Sequence, residues 1–333
     1  MTADGMTTDG GGPDGGNRGG GDPTVRGPDD VIQPFMLEAS GVRGRLVRIG
    51  PVVDSILNRH DYPDSVAQLL GEMLALAGLL SAMLKFEGIF TLQTNGDGPV
   101  RMMVVDFTSE GAVRGYAEYD EDRLAEAGLD PAAPNAEVIR LLGTGRLAFT
   151  VDHAGAKDRY QGIVELRGHT LAECFHHYFQ QSEQIASGIR LSAAKVAGAD
   201  GVERWRAGGL ILQRLPEEAG ARDLEGIDQE DAWRRAVILM SSCTNAELCD
   251  PRLTPNELLF RLFHEDGVRV YSTRPLEDRC RCSRGKVANV LTVMPDDEVR
   301  SLKADDGTVQ VTCQFCNRMY VFDDADLAAL PSE

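Results

Sequence analysis

The sequence predicts an α+β fold: a mixed sheet-and-helix body, an amphipathic helical linker and a small C-terminal zinc-binding domain. Three observations carry this reading. Short apolar runs bounded by Gly-, Asn- and Asp-rich turns alternate with helical stretches through the first two-thirds of the chain. Near Pro216 the texture changes to apolar residues spaced for helix faces. Four of the seven cysteines then stand in two close pairs, Cys280-Arg281-Cys282 and Cys313-Gln314-Phe315-Cys316, around a charged, helix-like insert of thirty residues. The partition expected is a tail over 1–29, a body over 30–216, a linker over 217–271 and a C-terminal module over 272–333.

The tail is rich in Gly, Pro and Asp and cannot bury enough apolar surface to offset chain entropy, so disorder is expected there. Order should begin near Asp30, with strands over 32–38 and 42–49 broken at Ser40-Gly41. Pro51 opens a short helix to about His60. A longer helix follows Pro63 and runs through Lys85, its middle apolar all round as in a helix buried in a core. A hairpin over 89–94 and 100–107 flanks the turn Asn95-Gly96-Asp97-Gly98-Pro99. Further strands are expected over 113–116, 147–151 and 160–166, while 121–142, interrupted by Pro131 and Pro134, has no firm assignment. Residues 169–187 read as a helix with Leu171, Cys174, Phe175, Tyr178 and Phe179 on one face. Strands over 189–197 and 207–213 are expected to close the same sheet. His176 and His177 invite a metal reading, but adjacent helical side chains diverge by about 100°, so a surface or boundary role is preferred.

In the linker, Ala232, Trp233, Ala236, Val237 and Met240 mark one helix face. Thr254-Pro255-Asn256-Glu257 is a capping box with proline at the first helical position, and it opens a second helix burying Leu258, Leu259, Leu262 and Phe263. Helices this short need a surface to lie on. Cys243 and Cys249 do not match a usual ligand spacing and read as bystander thiols, with a secondary redox role as the alternative. Cys174, on an apolar face, reads as a small core residue.

The four clustered cysteines, Cys280, Cys282, Cys313 and Cys316, have the residue type and spacing for tetrahedral Zn²⁺, one ion per chain. Residues 309–312 and 317–322 read as strands entering and leaving the second pair, a hairpin-borne knuckle. Cys280 and Cys282 would face the same way from an extended segment. Such a cluster is either a purely structural clip or a redox-active one. Arg279, Arg281, Arg284 and Lys286 form a local basic cluster expected to favour thiolates and steady an anionic centre.

A formal charge of −18 is a poor start for binding phosphate backbones, so nucleic acid is not expected as the partner. The longest apolar run, 73–84, is far short of the ~20 residues of a membrane span. With no apolar N-terminal segment resembling a secretory signal, a cytosolic protein with reduced, metal-bound thiols is expected.

These modules resemble the redox-regulated heat-shock chaperone family often called heat-shock protein thirty-three. The similarity runs from about Asp30 to Leu330. It is carried by Val42-Arg43-Gly44, Leu84-Lys85-Phe86-Glu87-Gly88, Gln93-Thr94-Asn95-Gly96-Asp97-Gly98-Pro99 and Arg114-Gly115-Tyr116-Ala117. Most specific are Cys280-Arg281-Cys282-Ser283 and Cys313-Gln314-Phe315-Cys316-Asn317, followed by Tyr320 and Phe322. The resemblance implies a holdase that uses no nucleotide, binds unfolding clients under oxidative stress and performs no catalysis. It further implies that the four cysteines hold zinc when reduced, that Cys280 pairs with Cys282 and Cys313 with Cys316 on oxidation, and that zinc then leaves. The linker would loosen and the chain would form a homodimer. The Gly/Asp tail and the linker thiols Cys243 and Cys249 lie outside the family pattern.

Physical chemistry supports the same scheme. A module of about sixty residues with few large apolar groups needs a metal or disulfides, and structural zinc contributes roughly 10–16 kcal/mol in comparable peptides. Melting the module would remove support from the linker, exposing Trp233, Val237, Met240, Leu258, Leu262 and Phe263 or the body surface they cover. Two rivals differ in class. A zinc ribbon reading nucleic acid conflicts with the acidic balance. A disulfide oxidoreductase using Cys313 and Cys316 would need a helix N-terminus after a strand, and the pair is expected between two strands.

Overall fold

The computed structural model describes residues 29–128, 138–153, 155, 159–179, 185–214 and 228–329. Apart from Asp29, the predicted tail lies outside the described residues, as do 129–137 and the start of the linker, 217–227. Strands β1 (Val31–Leu37) and β2 (Val42–Ile49) form an antiparallel hairpin, turned at Gly41 with its positive φ of 62°. Helix α1 (Pro51–Leu57) begins on its proline, and α2 (Asp64–Ser81) follows Pro63. α2 ends at Ser81, short of the Lys85 expected, and the Ser81 hydroxyl donates to the Gly78 carbonyl at 3.0 Å.

Then come β3 (Gly88–Gly96), β4 (Val100–Thr108) and β5 (Ala112–Tyr119), followed by α3 (Glu121–Glu126) and α4 (Val138–Leu142). Strands β6 (Gly145–His153) and β7 (Arg159–Glu165) form a second hairpin. Helix α5 (Leu171–Tyr178), capped by the Thr170 side chain, is shorter than expected, and Ser187 already belongs to β8 (Ser187–Ala197), which pairs with β9 (Glu203–Arg214).

The expectation of one sheet is corrected. β1, β2, β8 and β9 form one sheet and β3 to β7 another, each completed by strands from near the C-terminal end. Helix α2 lies between the two, which explains its all-round apolar surface: Val47, Ile49, Ala207 and Ile211 of the first sheet and Phe90, Leu92, Met103 and Val105 of the second share one core with it. On β2 and β9 the alternate residues Leu46, Leu210 and Leu212 face the other way, into a second core.

The linker supplies the far side of that second core. It contains α6 (Gln229–Ser242), α7 (Asn245–Cys249) and α8 (Pro255–Phe263), with the Thr254–Glu257 capping box in place. A 3₁₀ turn at His264–Asp266 follows, and then β10 (Val268–Val270) and β11 (Arg274–Pro275), both antiparallel to β1. β12 (Glu277–Asp278) crosses to the second sheet and runs parallel to β5. Residues 274–278, grouped by sequence with the C-terminal module, thus strap the two body sheets together. The remainder is α9 (Arg284–Val293), α10 (Asp296–Ser301), the hairpin β13 (Val309–Thr312) and β14 (Met319–Phe322), and α11 (Asp324–Ala328). Among the described residues, no helix is long and apolar enough to cross a membrane.

Candidate metal centre

Among its described residues the C-terminal module buries four apolar side chains of its own, Leu291, Val309, Tyr320 and Phe322, too small a core to hold three helices and a hairpin unaided. Its two ends meet at the thiols. The Sγ atoms of Cys280, Cys282, Cys313 and Cys316 all lie within 4.8 Å of one another. Cys282 to Cys316 is 3.3 Å and Cys280 to Cys313 is 3.8 Å. Tetrahedral zinc with bonds of about 2.3 Å sets sulfur–sulfur edges of about 3.8 Å, so the spacing and the all-thiol donor set both fit such an ion. Among the described residues this is the one group of three or more ligand-type side chains close enough to share a metal. The knuckle is shaped by backbone bonds from Cys313 N to Arg318 O at 2.9 Å and from Asn317 N to Cys313 O at 2.8 Å, with Asn317 in the left-handed region at φ 58°.

The thiols are not equivalent. Burial pushes Cys282 up, but hydrogen bonds from the Tyr320 hydroxyl, 3.1 Å away, and from the neighbouring thiols outweigh it and bring Cys282 down to about 7. Burial raises Cys313 and Cys316, the latter to about 12.

The basic cluster expected to serve the thiols is engaged elsewhere. Arg279 pairs with Glu110 at 2.8 Å, Arg281 with Asp106 at 2.6 Å and Arg284 with Asp326 at 2.7 Å, while Lys286 donates to the Arg281 carbonyl. Two other guanidinium groups reach the centre: Arg318 of the module, which hydrogen-bonds Tyr320 and faces Cys282 and Cys316, and Arg114 of the body, whose Nη1 lies 4.0 Å from Cys280 Sγ. Sequence reading missed both, and no spacing signal could carry the second, because Arg114 and Cys280 are 166 positions apart. Asp106, 3% exposed, accepts from both Arg114 and Arg281.

Of the six linker residues singled out, Met240, Leu258, Leu262 and Phe263 are buried in the second core, together with Phe35, Leu46, Leu210 and Leu212 of the body. Trp233 is half-buried against the same core. Trp233 and Val237 line a cavity of about 480 Å³ between α6 and the body strand β8. The sequence reading missed α7, whose Leu248 and Cys249 are also buried here. Polar clamps accompany the apolar face. Arg48 donates to the carbonyls of Leu253 at 2.8 Å and Asp250 at 2.5 Å, and Arg206 to that of Cys249 at 2.8 Å.

The other cysteines take no part in the cluster. Cys174 sits in the main core, and burial pushes its thiol up to about 11. Cys243 is likewise pushed up to about 11 and Cys249 upward, both by burial, with Cys249 donating toward Ser192 and Arg206. His176 Nδ1 lies 3.0 Å from the Ser187 carbonyl, in a boundary role rather than a metal site.

Comparison with known proteins returns one family. The Hsp33 protein family matches residues 30–323. The chain is 41% identical over 295 residues to a 33 kDa chaperonin of Caulobacter vibrioides, covering 89% of this chain and 95% of that one. It is 38% identical over 305 residues to one of Pseudomonas fluorescens, covering 91% and 94%. The crystal structure of a 33 kDa chaperonin from Thermotoga maritima superposes with a TM-score of 0.73 at 27% identity, over 91% of this chain and 98% of that one.

Proposed function

The chain belongs to the Hsp33 family of chaperones, and from that premise we propose that it is a redox-regulated, ATP-independent holdase, inactive when reduced and zinc-bound. Its working parts are a body over 30–216, a linker over 217–271 and a redox module over 272–333. The observation that carries the reading is the convergence of four thiols on a module with almost no core, docked on the body, in a chain whose linker covers an apolar sheet face. Bound Zn²⁺ would offset two of the four thiolate charges and cross-link the module, contributing roughly as much as a typical domain's whole stability.

Cys280, Cys282, Cys313 and Cys316 are the ligands and the oxidant sensors. A thiolate attacks one oxygen of a peroxide, forming a sulfenic acid and releasing hydroxide; a second thiolate displaces the sulfenic oxygen, closing the S–S bond. Forming each disulfide passes two electrons from the two thiolates to one peroxide, whose oxygens leave as two waters after taking up two protons. We assign the pairs Cys280–Cys282 and Cys313–Cys316. Mass mapping of non-reduced peptides tests this against the cross-pairs that lie nearest in the closed cluster, Cys282 with Cys316 and Cys280 with Cys313.

With the thiolates consumed, the donor set for the ion is gone and the module loses its cross-link. The linker has then lost a support and, once its own core is weakened as by warming, can leave the first sheet, offering Trp233, Val237, Met240, Leu258, Leu262 and Phe263, together with the body face beneath, to unfolding clients in the cytosol. The same exposed face would drive homodimer formation on oxidation. The test measures zinc content and suppression of a thermally unfolding enzyme's light scattering on one sample, before and after peroxide. Loss of zinc together with gain of suppression is expected; suppression with zinc retained refutes the coupling.

A further inference from the structure

The residues inside and beside each close cysteine pair are gripped by the body. Inside the second pair, the Gln314 carbonyl accepts from His60 Nε2 at 2.7 Å. The Phe315 ring lies under the Arg114 guanidinium, whose carbon is 3.8 Å from the ring centroid, with Tyr116 at the ring's edge at 6.3 Å. Just past the pair, the Asn317 amide donates to the Arg59 carbonyl at 3.1 Å. Inside the first pair, Arg281 shares Asp106 with that same Arg114. Before it, Asp278 accepts from Ser55 at 2.6 Å and pairs with Arg59. Every one of these body residues lies in α1, in the turn after it, or in β4 and β5.

We propose that the body is part of the metal site: docking through Arg114, Asp106, Arg59 and His60 sets how tightly the four thiolates hold their ion, with Arg114 as the main positioning residue. This rests on the zinc reading above and goes beyond it, since it places determinants of metal retention outside the C-terminal module.

Two features support it. The first is geometric. Arg114 stacks on Phe315 and lies beside Cys280, so one planar cation touches both ligand pairs and holds their relative position. The second is electrostatic. Zinc with four thiolates is doubly negative, and the contacts that join module and body carry three guanidinium groups, Arg59, Arg114 and Arg281, against two carboxylates, Asp106 and Asp278, with Arg318 of the module a further cation beside Cys282 and Cys316. Two disulfides without the ion carry no charge, so the surplus cation loses its counterpart on oxidation. Docking therefore discriminates between the two states of the centre. By reciprocity, whatever factor the loaded centre adds to docking, docking adds to zinc affinity.

The test uses the full reduced chain. Zinc affinity is measured by competition with a chromogenic zinc chelator for the parent, Arg114→Ala, Arg114→Lys and Phe315→Ala. Arg114→Ala alters nothing in the module's own sequence. It should weaken zinc retention at least about fivefold, the lower bound of typical coupling between sites. Lysine should restore only part, since it keeps the charge without the flat stacking face. Hydrogen exchange in α2 should be unchanged, reporting an intact body. Removing zinc by chelation alone, without oxidant, should speed exchange in α1 and β5. Affinities within twofold of the parent for both Arg114→Ala and Phe315→Ala overturn the proposal while leaving the redox switch standing. A parent chain that binds no zinc overturns both.

Discussion

Truncating Phe263 to alanine should release the linker without any oxidant. Phe263 is fully buried at the end of α8 and stacks on Phe35 of β1, ring centroids 5.8 Å apart and planes 24° apart. Its neighbours are Leu46, Leu210, Leu258 and Leu259, a core separate from the one around α2. Burying a phenylalanine removes some 150–250 Å² from water, about 4–6 kcal/mol at 25 cal/mol per Å², and measured Phe→Ala losses run about 3–5 kcal/mol. Because the cavity opens in the linker core, the loss falls on docking rather than on the body. At ~3 kcal/mol the docking equilibrium shifts by about two orders of magnitude. Undocking also rehydrates Arg48 and Arg206, whose guanidinium groups are buried against linker carbonyls, so the linker is held less firmly than its apolar area implies. In hydrogen exchange under reducing conditions, protection across 229–263 should fall about a hundredfold while α2 keeps its protection, and client aggregation should be suppressed with zinc still bound. Equal losses in α8 and α2 would show that linker and body unfold as one unit and would refute this reasoning.

Gly44 stands opposite Phe35 in the β1–β2 register, and a Cβ there would fall 2.0 Å from the Phe35 ring. Gly44→Ala should therefore push that ring into the linker and raise linker exchange as Phe263→Ala does; linker exchange equal to the parent's in a folded Gly44→Ala chain argues against it. Asp30 accepts from the N–H groups of Gly50 and Val52, yet burial carries its carboxyl up to about 6 from an ordinary 3.8. The folded chain thus disfavours the ionised form, and the stability present below about pH 4 is lost as pH rises through 6. Asp30→Asn, which keeps an acceptor, should gain up to about 3 kcal/mol at pH 7.5 and roughly 1 kcal/mol at pH 4.5, read from urea midpoints; a gain independent of pH would contradict the linkage. Cys243 and Cys249 should resist iodoacetamide at pH 7.5 in the reduced chain and react once oxidation and warming release the linker, because burial holds both as thiols. Alkylation of either at a free-thiol rate in the reduced chain would show that the linker is already open.

Local signals were legible wherever one short stretch carried the whole cause. The Thr254–Glu257 capping box, the proline starts of α1 and α8, the all-apolar α2 and the two cysteine pairs each announce themselves within a few residues. Long-range features were not legible. β9, buried along nearly its whole length, reads as a strand in any buried sheet, and nothing local says that it pairs with β2 rather than with the later strands. Helix α7 is five residues long, too short for a periodicity; its Thr244–Glu247 capping box is a local signal that sequence reading missed, but its burial depends on a sheet face made by residues far away in sequence. The metal centre divides along the same line. Its four cysteines stand in pairs separated by one and two residues, but Arg114, Asp106 and His60 meet the pairs across more than 160 positions. The local basic cluster misled for a related reason: charge near the thiols in sequence is drawn off by Glu110, Asp106 and Asp326, which folding brings closer.

The arrangement of contacts also orders the events of release. The module touches the body almost wholly through polar and stacking contacts, Asp106–Arg281, His60–Gln314 and Arg114–Phe315 among them, each individually weak in water. The linker is held by an apolar core that contains none of the four thiols. Between them runs the strap 274–278, paired to β1 at one end and β5 at the other, with β10 on β1 pinning the exit of α8. On the proposed mechanism, loss of the metal would free the module and β12 first and leave the linker core intact, still pinned to β1 through β10. A second perturbation that weakens the core itself, such as warming, is needed to complete opening. Peroxide in the cold should give zinc loss with little client binding, and a later temperature step should bring the binding on. Full client binding at low temperature as soon as zinc is lost would place the linker under direct control of the metal and remove the second step.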